Sequence, residues 1–257
     1  MLASPSTVLK KTCISSFMGL LLLGSLTACA EKPAPAKAAA NASSSATTKP
    51  TESHPDDDPV NTNLTAKDFD PAGIASLVEG KDYTKIAEPQ SVQIAGKPEV
   101  IEFFWYGCPH CYKAEPAVQM WRQNKAKDVN FIRLPAQWAP AMIQHQKMAL
   151  SLQALKKSDE IEPKVFKAIQ EQGRALDSEA KIEEFMVENG IDKATWTQTF
   201  NSFNTNTEVA KADALFKAFK LQGVPAFVVN GKYLVQGTNA RSLQVVNKLI
   251  EQDKGKK

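Results

Sequence analysis

The 257-residue sequence predicts an α/β fold in which one strand-and-helix unit is interrupted by a helical insertion, and three observations predict it. Val100-Ile101-Glu102-Phe103-Phe104-Trp105 is an almost unbroken apolar and aromatic run, as suits a strand covered on both faces. From Pro135 to Gly223 the apolar residues recur only at helical spacing. Ala226-Phe227-Val228-Val229 and Tyr233-Leu234-Val235 then flank Asn230-Gly231, a pair suited to the positive φ angles of a tight hairpin. Strand, strand, helix, strand, helices, hairpin, helix is the order of one interrupted unit rather than of two domains in series.

The chain begins with export features. Lys10 and Lys11 precede an apolar run through Phe17, Met18, Leu20, Leu21, Leu22 and Leu23, followed by small residues, and the run is too short to span a membrane comfortably. Leu26-Thr27-Ala28-Cys29 resembles a bacterial lipoprotein signal. That resemblance implies removal of residues 1–28, Cys13 with them, and lipidation of Cys29 as the first mature residue, which attaches the protein to a membrane through acyl chains. Ordinary cleavage near Ala28, or an uncleaved anchor, are the alternatives. Residues 29–68 are expected to form a low-complexity tether, because the stretch from Glu31 to about Pro59 has no large apolar residue with which to offset the entropy of folding. His54 lies there as a solvated side chain. The folded domain is expected over 69–257.

Within it, Val92 and Ile94 predict a first strand and residues 100–105 a second, ended by Gly107. Cys111, Ala114, Val118 and Trp121 share one face of a helix that starts at the cysteine pair, and Pro116 predicts a kink in it. Phe131-Ile132-Arg133-Leu134 is a short strand stopped by Pro135. The insertion, expected at about 139–222, contains helices marked by Met142, Ile143, Met148, Leu152 and Leu155; by Val165, Phe166 and Ile169; by Ile182, Phe185 and Met186 before Asn189-Gly190; and by Val209, Leu215, Phe216 and Phe219. His145 falls in the first of these and is assigned to packing. Leu243, Val246, Leu249 and Ile250 mark a final helix.

The 31 basic and 28 acidic residues are spread along the chain, so the net charge of +3 forms no nucleic-acid footprint and no polybasic patch. Four cysteines are too few for a disulfide scaffold, and Cys108 and Cys111 stand apart from the two in the leader. A strand-to-helix junction presents free amides and the positive helix end to Cys108, favouring its thiolate. Pro109 suits the first helical turn, and His110 would stabilise the thiolate further. A structural disulfide is one alternative, although so short a loop gains little from closure. Metal binding by Cys108, His110 and Cys111 is another, although a structural zinc site needs four ligands and the domain has no second Cys or His pair. No metal and no other cofactor is expected.

Glu102-Phe103-Phe104-Trp105-Tyr106-Gly107-Cys108-Pro109-His110-Cys111-Tyr112 closely resembles the DsbA family of periplasmic thiol:disulfide oxidoreductases. Gly223-Val224-Pro225-Ala226-Phe227 resembles that family's cis-proline loop, and the similarity extends from about Tyr83 to the C-terminus. It implies a thioredoxin-like fold with an inserted helical domain and an enzyme that introduces disulfides into exported proteins. Cys108 and Cys111 would form the redox-active disulfide, Cys108 as nucleophile and Cys111 as buried partner, with Pro109 and His110 setting the potential. Val224 and a cis Pro225 would bind substrate by backbone pairing, a plain strand-initiating turn being the alternative. Glu102 would be a buried acid that moves protons, a role suited to the raised pKa of a buried carboxylate with no close partner; a charge reaching solvent at the strand edge is the alternative. Trp105 and Tyr106 are read as packing. The implied partners are reduced exported proteins and a DsbB-like quinone-linked membrane oxidase, for a monomer anchored by Cys29 to a membrane facing the periplasm. A disulfide reductase or isomerase, or a Cys/His metal-binding lipoprotein, are the competing readings.

Overall fold

The structure, a computed structural model, describes residues 63–91 and 94–255. The leader, Cys29, most of the expected tether and Val92 lie outside the described residues. Packing starts before residue 69: Leu64 is buried in the same apolar cluster as Phe69 and Ile74, on either side of a short 3-10 helix over Ala66–Phe69. Among the described residues, no helix is long and apolar enough to cross a membrane.

Five strands form one sheet: β1 (Thr84–Lys85), β2 (Glu99–Phe104), β3 (Asn130–Pro135), β4 (Ala226–Val229) and β5 (Tyr233–Gln236), in the spatial order β1-β5-β4-β2-β3. β2 and β3 are parallel, whereas β4 runs antiparallel to β2 and to β5. Every residue of β2 is buried, which explains its near-continuous apolar character. Ile101 and Phe103 face one cluster with Ala226, Val228, Phe216 and Phe219. Val100 and Phe104 face the other side of the sheet. Alternation therefore sends Glu102 to the same side as Val100 and Phe104. The expected strand at Val92 and Ile94 does not form at its described end: Ile94 sits in a bend, 43% exposed, with no sheet partner to cover it.

α1 (Pro109–Asn124) lies between β2 and β3 and continues through Pro116. Between β3 and β4 come α2 (Ile143–Ala154), α3 (Ser158–Gln170), α4 (Glu179–Glu188), α5 (Lys193–Phe200) and α6 (Phe203–Ala218). α5 is a helix that periodicity did not reveal, because only Trp196 and Phe200 are apolar at helical spacing within it. What defines it is its cap, Asp192 accepting from the Thr195 amide at 2.8 Å. α7 (Ala240–Lys254) closes the fold, burying Leu243, Val246, Leu249 and Ile250 against α1 and the sheet. Asn230 and Gly231 both take positive φ, 51° and 65°, in the β4–β5 turn. A Cβ on Gly231 would meet the Gln90 carbonyl oxygen at 2.1 Å, so this glycine serves close approach as well as turn geometry.

Candidate active site

The cysteine pair lies where β2 gives way to α1. Cys108 is the N-cap residue, with extended backbone, and Pro109 occupies the first turn, where a missing amide hydrogen costs nothing. The Cys108 amide donates to the Trp105 carbonyl at 3.0 Å and the Tyr112 amide to the Cys108 carbonyl at 3.1 Å, so the turn is fixed on both sides. Trp105 folds its ring under Gly107, where any Cβ would come within 2.4 Å of the indole. Residue 107 must therefore be glycine for this turn to sit on that ring.

Both cysteines are free thiols in the structure, and their surroundings differ. Cys108 is partly exposed, and its thiol is lowered to about 6, chiefly by a hydrogen bond from Cys111, with further help from the Cys111 and His110 amides and the His110 charge. Cys111 is 2% exposed; burial pushes its thiol well up, and the neighbouring Cys108 and the Glu102 charge push the same way. Pro109 and His110 are exposed beside them.

The loop before β4 faces this pair. Its Val224–Pro225 peptide bond is cis, and the Cys108 thiol donates to the Val224 carbonyl at 3.5 Å. Residues 223 and 224 precede the first β4 residue paired with β2, and among the described residues no backbone acceptor takes the Val224 amide. An extended chain laid along this loop would find both a donor and an acceptor close to the Cys108 sulfur.

Beneath the turn is a chamber that the sequence disclosed only in part. Glu102 is 1% exposed, and the expectation that it lacks a close partner is incorrect. Arg133, its register partner on β3, donates to it from Nε at 2.7 Å and reaches it again from Nη2 at 3.4 Å. The same guanidinium donates to Glu115 of α1 at 2.8 Å and to Glu162 of α3 at 2.5 Å, and lies 4.4 Å from the centre of the Phe104 ring. One buried cation thus serves three buried carboxylates. Glu102 is raised to about 7, by burial first and by Glu115 and Glu162 as well, against the pull of Arg133. Burial also raises Glu162. Burial, reinforced by the two neighbouring carboxylates and only partly offset by Arg133, accounts for the raised pKa of Glu102. The legible signal was a pair of opposite charges, Glu102 and Arg133, each alone in an apolar strand, since buried charges are seldom left unpaired. Glu162 carried no such signal.

His145 is also placed here. Its Nδ1 accepts from the Trp105 indole N–H at 3.1 Å, so its Nε2–H donates to the Ala175 carbonyl at 2.8 Å, which fixes a neutral tautomer. Burial lowers its pKa. The packing role expected of it is therefore a clamp between α2 and the ring under Gly107. Tyr106 is buried, and Trp105 partly so. Among the described residues, no group of three or more His, Cys, Asp or Glu side chains could hold a metal ion.

A half-exposed, acidic thiol paired with a buried one is the arrangement that dithiol–disulfide exchange requires, and comparison with known proteins points the same way. The profile of DSBA-like thioredoxin domains matches residues 132–251. The thiol:disulfide interchange protein DsbA of Pseudomonas syringae pv. tomato is 35% identical over 182 residues, spanning 69% of this chain and 85% of that protein. Its counterpart from Burkholderia cepacia is 36% identical over 191 residues, spanning 72% and 90%. The crystal structure of Pseudomonas aeruginosa DsbA superposes with a TM-score of 0.66 at 35% identity, covering 69% of this chain and 94% of that one. That of DsbA from Xylella fastidiosa gives 0.65 at 28% identity, covering 70% and 98%. Topology, thiol chemistry and relatives agree that the chain belongs to the DsbA family and is a thiol:disulfide oxidoreductase of thioredoxin-like fold.

Proposed function

We propose that the enzyme works as an oxidant of exported proteins, with Cys108 as the sulfur that substrates attack. The observation that carries this reading is the contrast between the two thiols, one lowered to about 6 and the other pushed well up one helical turn away. In the disulfide form, a substrate thiolate attacks Cys108 Sγ, the bond to Cys111 breaks, and Cys111 departs with the electron pair. Because Cys111 is a poor thiolate, it takes a proton as it leaves, and Glu102 is the acid positioned by charge and burial to supply one. A second substrate thiolate then attacks the substrate sulfur of the mixed disulfide. The substrate disulfide forms and Cys108 is released as a thiolate, its favoured state, which makes it a good leaving group. Two substrate thiols are oxidised and the cysteine pair is reduced.

Val224 and Pro225 hold the substrate chain in this reading, through the unused Val224 amide and its carbonyl, a form of strand pairing that accepts many sequences. Pro109 and His110 set how readily Cys108 ionises. Reoxidation falls to a DsbB-like quinone-linked membrane protein, and Cys29 carries the lipid that keeps a monomeric enzyme at a membrane facing the periplasm. Residues 1–28 are the signal removed on lipidation, and the stretch from Cys29 to the first packed residue is the tether.

Equilibration of the purified protein with glutathione buffers of defined ratio tests the direction of flow. A potential well above that of a cytosolic reductant is expected; one near or below it would overturn the oxidase reading. A Cys111→Ser variant is expected to trap exported proteins as mixed disulfides through Cys108. Mass spectrometry of the mature N-terminus, with Cys29→Ser as control, tests the lipid.

A further inference from the structure

Arg133 divides its donors unevenly among the three acids of the chamber. A guanidinium carries five N–H groups, and those of Arg133 are all spent on Glu102, Glu115 and Glu162. An arginine paired with one carboxylate commonly closes a two-pronged fork on it. Here the fork on Glu102 is half open: Nε donates at 2.7 Å, but Nη2 reaches the second oxygen only at 3.4 Å. The far edge of the group is drawn the other way, Nη2 to Glu115 at 2.8 Å, and Nη1 to Glu115 at 3.2 Å and to Glu162 at 2.5 Å.

Of the two competitors, Glu162 leans on Arg133 more. Glu115 also accepts from the Gln119 side-chain amide at 2.5 Å and keeps a trace of exposure. Glu162 has none, and its second oxygen accepts no hydrogen bond. The Ser158 and Tyr106 hydroxyls stand near this carboxyl without a hydrogen-bond partner of their own, and Arg122 of α1 adds a weaker attraction. Glu102 in turn faces Arg133 of β3, Glu115 and Cys111 of α1, and Glu162 of α3. Burial raises both Glu102 and Glu162, so two acids that burial drives towards the neutral form compete for one cation.

We propose that Glu162 is a positioning residue for Glu102: by holding the Nη1 edge of Arg133 it denies Glu102 the closed fork that strand register would otherwise supply, and so keeps Glu102 able to carry a proton near neutral pH instead of standing as a fixed anion. The proposal rests on the reading of Glu102 as the acid that supplies Cys111, and it holds whichever way electrons flow.

The test is the titration of the Glu102 and Glu162 side chains by NMR of carboxyl-labelled glutamate, assigned through bonds, in the oxidised full-length protein, where neither active-site thiol titrates. Glu162→Gln should lower the Glu102 midpoint by about one unit, since Arg133 is freed to close on Glu102 and a negative neighbour is gone. Glu162→Asp, which keeps a carboxylate, should lower it less. The pH profile of exchange with a small thiol, divided by that of the same thiol with glutathione disulfide, should lose its alkaline side by the same shift, leaving Glu162→Gln up to about tenfold slower there. A Glu102 midpoint unmoved in Glu162→Gln, or moved equally by Glu162→Asp, would overturn the proposal. A moved midpoint with an unmoved exchange profile would uphold the division of Arg133 and sink Glu102 as the proton donor, so the two readings fail separately. The wild-type protein supplies a check that does not depend on the variants folding: acids that share one cation titrate in joint steps visible at both carboxyls. Independent single-step curves would overturn the proposal.

Discussion

At the mouth of the site, the groups that favour negative charge on Cys108 are the neighbouring Cys111 thiol first, then backbone amides and an exposed histidine. In the chamber below, three carboxylates share a single guanidinium, and no residue of the four is more than 6% exposed. The mouth lowers a pKa and the chamber raises them, within one turn of α1. Preorganised amides can stabilise an anion at a surface, whereas a chamber with more acid than base keeps one of its acids protonated. Cys111 lies between the two and is raised by burial first, then by Cys108, and least by the Glu102 charge.

The sharpest way to separate the two regions is at the sulfurs. Cys108→Ser is expected to abolish exchange completely, whereas Cys111→Ser should leave a thiol that forms mixed disulfides and cannot resolve them; non-reducing electrophoresis with a model peptide distinguishes the outcomes. If both variants behaved alike, the asymmetry would be wrong.

Next in size is the chamber's cation. Arg133→Met should destabilise the protein by about 3–5 kcal/mol at neutral pH, the usual cost of leaving buried charge unpaired, read from urea unfolding. The loss should shrink in acid as the stranded carboxylates take up protons.

Glu102→Gln isolates the proton. Glu102 titrates at about 7 when folded, against 4.5 for the free group, so between those values the folded protein holds a proton that the unfolded chain has released. Stability from this source is full below 4.5 and is lost as pH rises through 7. The variant should lose that part of the slope, on the order of 1–3 kcal/mol across the window, in unfolding curves collected at several pH values. Its exchange rate should also become less dependent on pH near neutrality.

The smallest effect belongs to the mouth. Thiolate absorbance of the reduced protein should titrate at about 6 through Cys108, and His110→Leu should raise the midpoint by less than about one unit, since the histidine charge is the least of the causes. A rise larger than that would mean that the imidazole, and not the Cys111 thiol and the amides, dominates the mouth.

The same division explains what the sequence disclosed. The mouth is built from local rules: a glycine that fits over an indole, a proline at a helix start, Asn230-Gly231 in a hairpin turn and a Val-Pro step before β4. Each leaves a mark within a few residues. The chamber is assembled by register and by helix packing, so Glu102 and Arg133 stood out only as lone charges in apolar strands, while Glu115 and Glu162 acquire their meaning only when α1 and α3 pack over the sheet. Length sets a similar limit for α5, where two apolar residues are too few to show a period, and a capping aspartate is the only local trace. Ile94 shows the opposite error, an apolar residue in a bend that no described strand covers.

The clamp from His145 to Trp105 carries one more consequence. The ring under Gly107 is steadied by a residue of the helical insertion, so the insertion is a structural parent of the redox turn, and a chain trimmed back to the sheet, α1 and α7 would present the same cysteines on a loosened footing. Since burial keeps that imidazole neutral below the pH at which a free one would take up a proton, the footing is also built to outlast mild acidification of the surroundings.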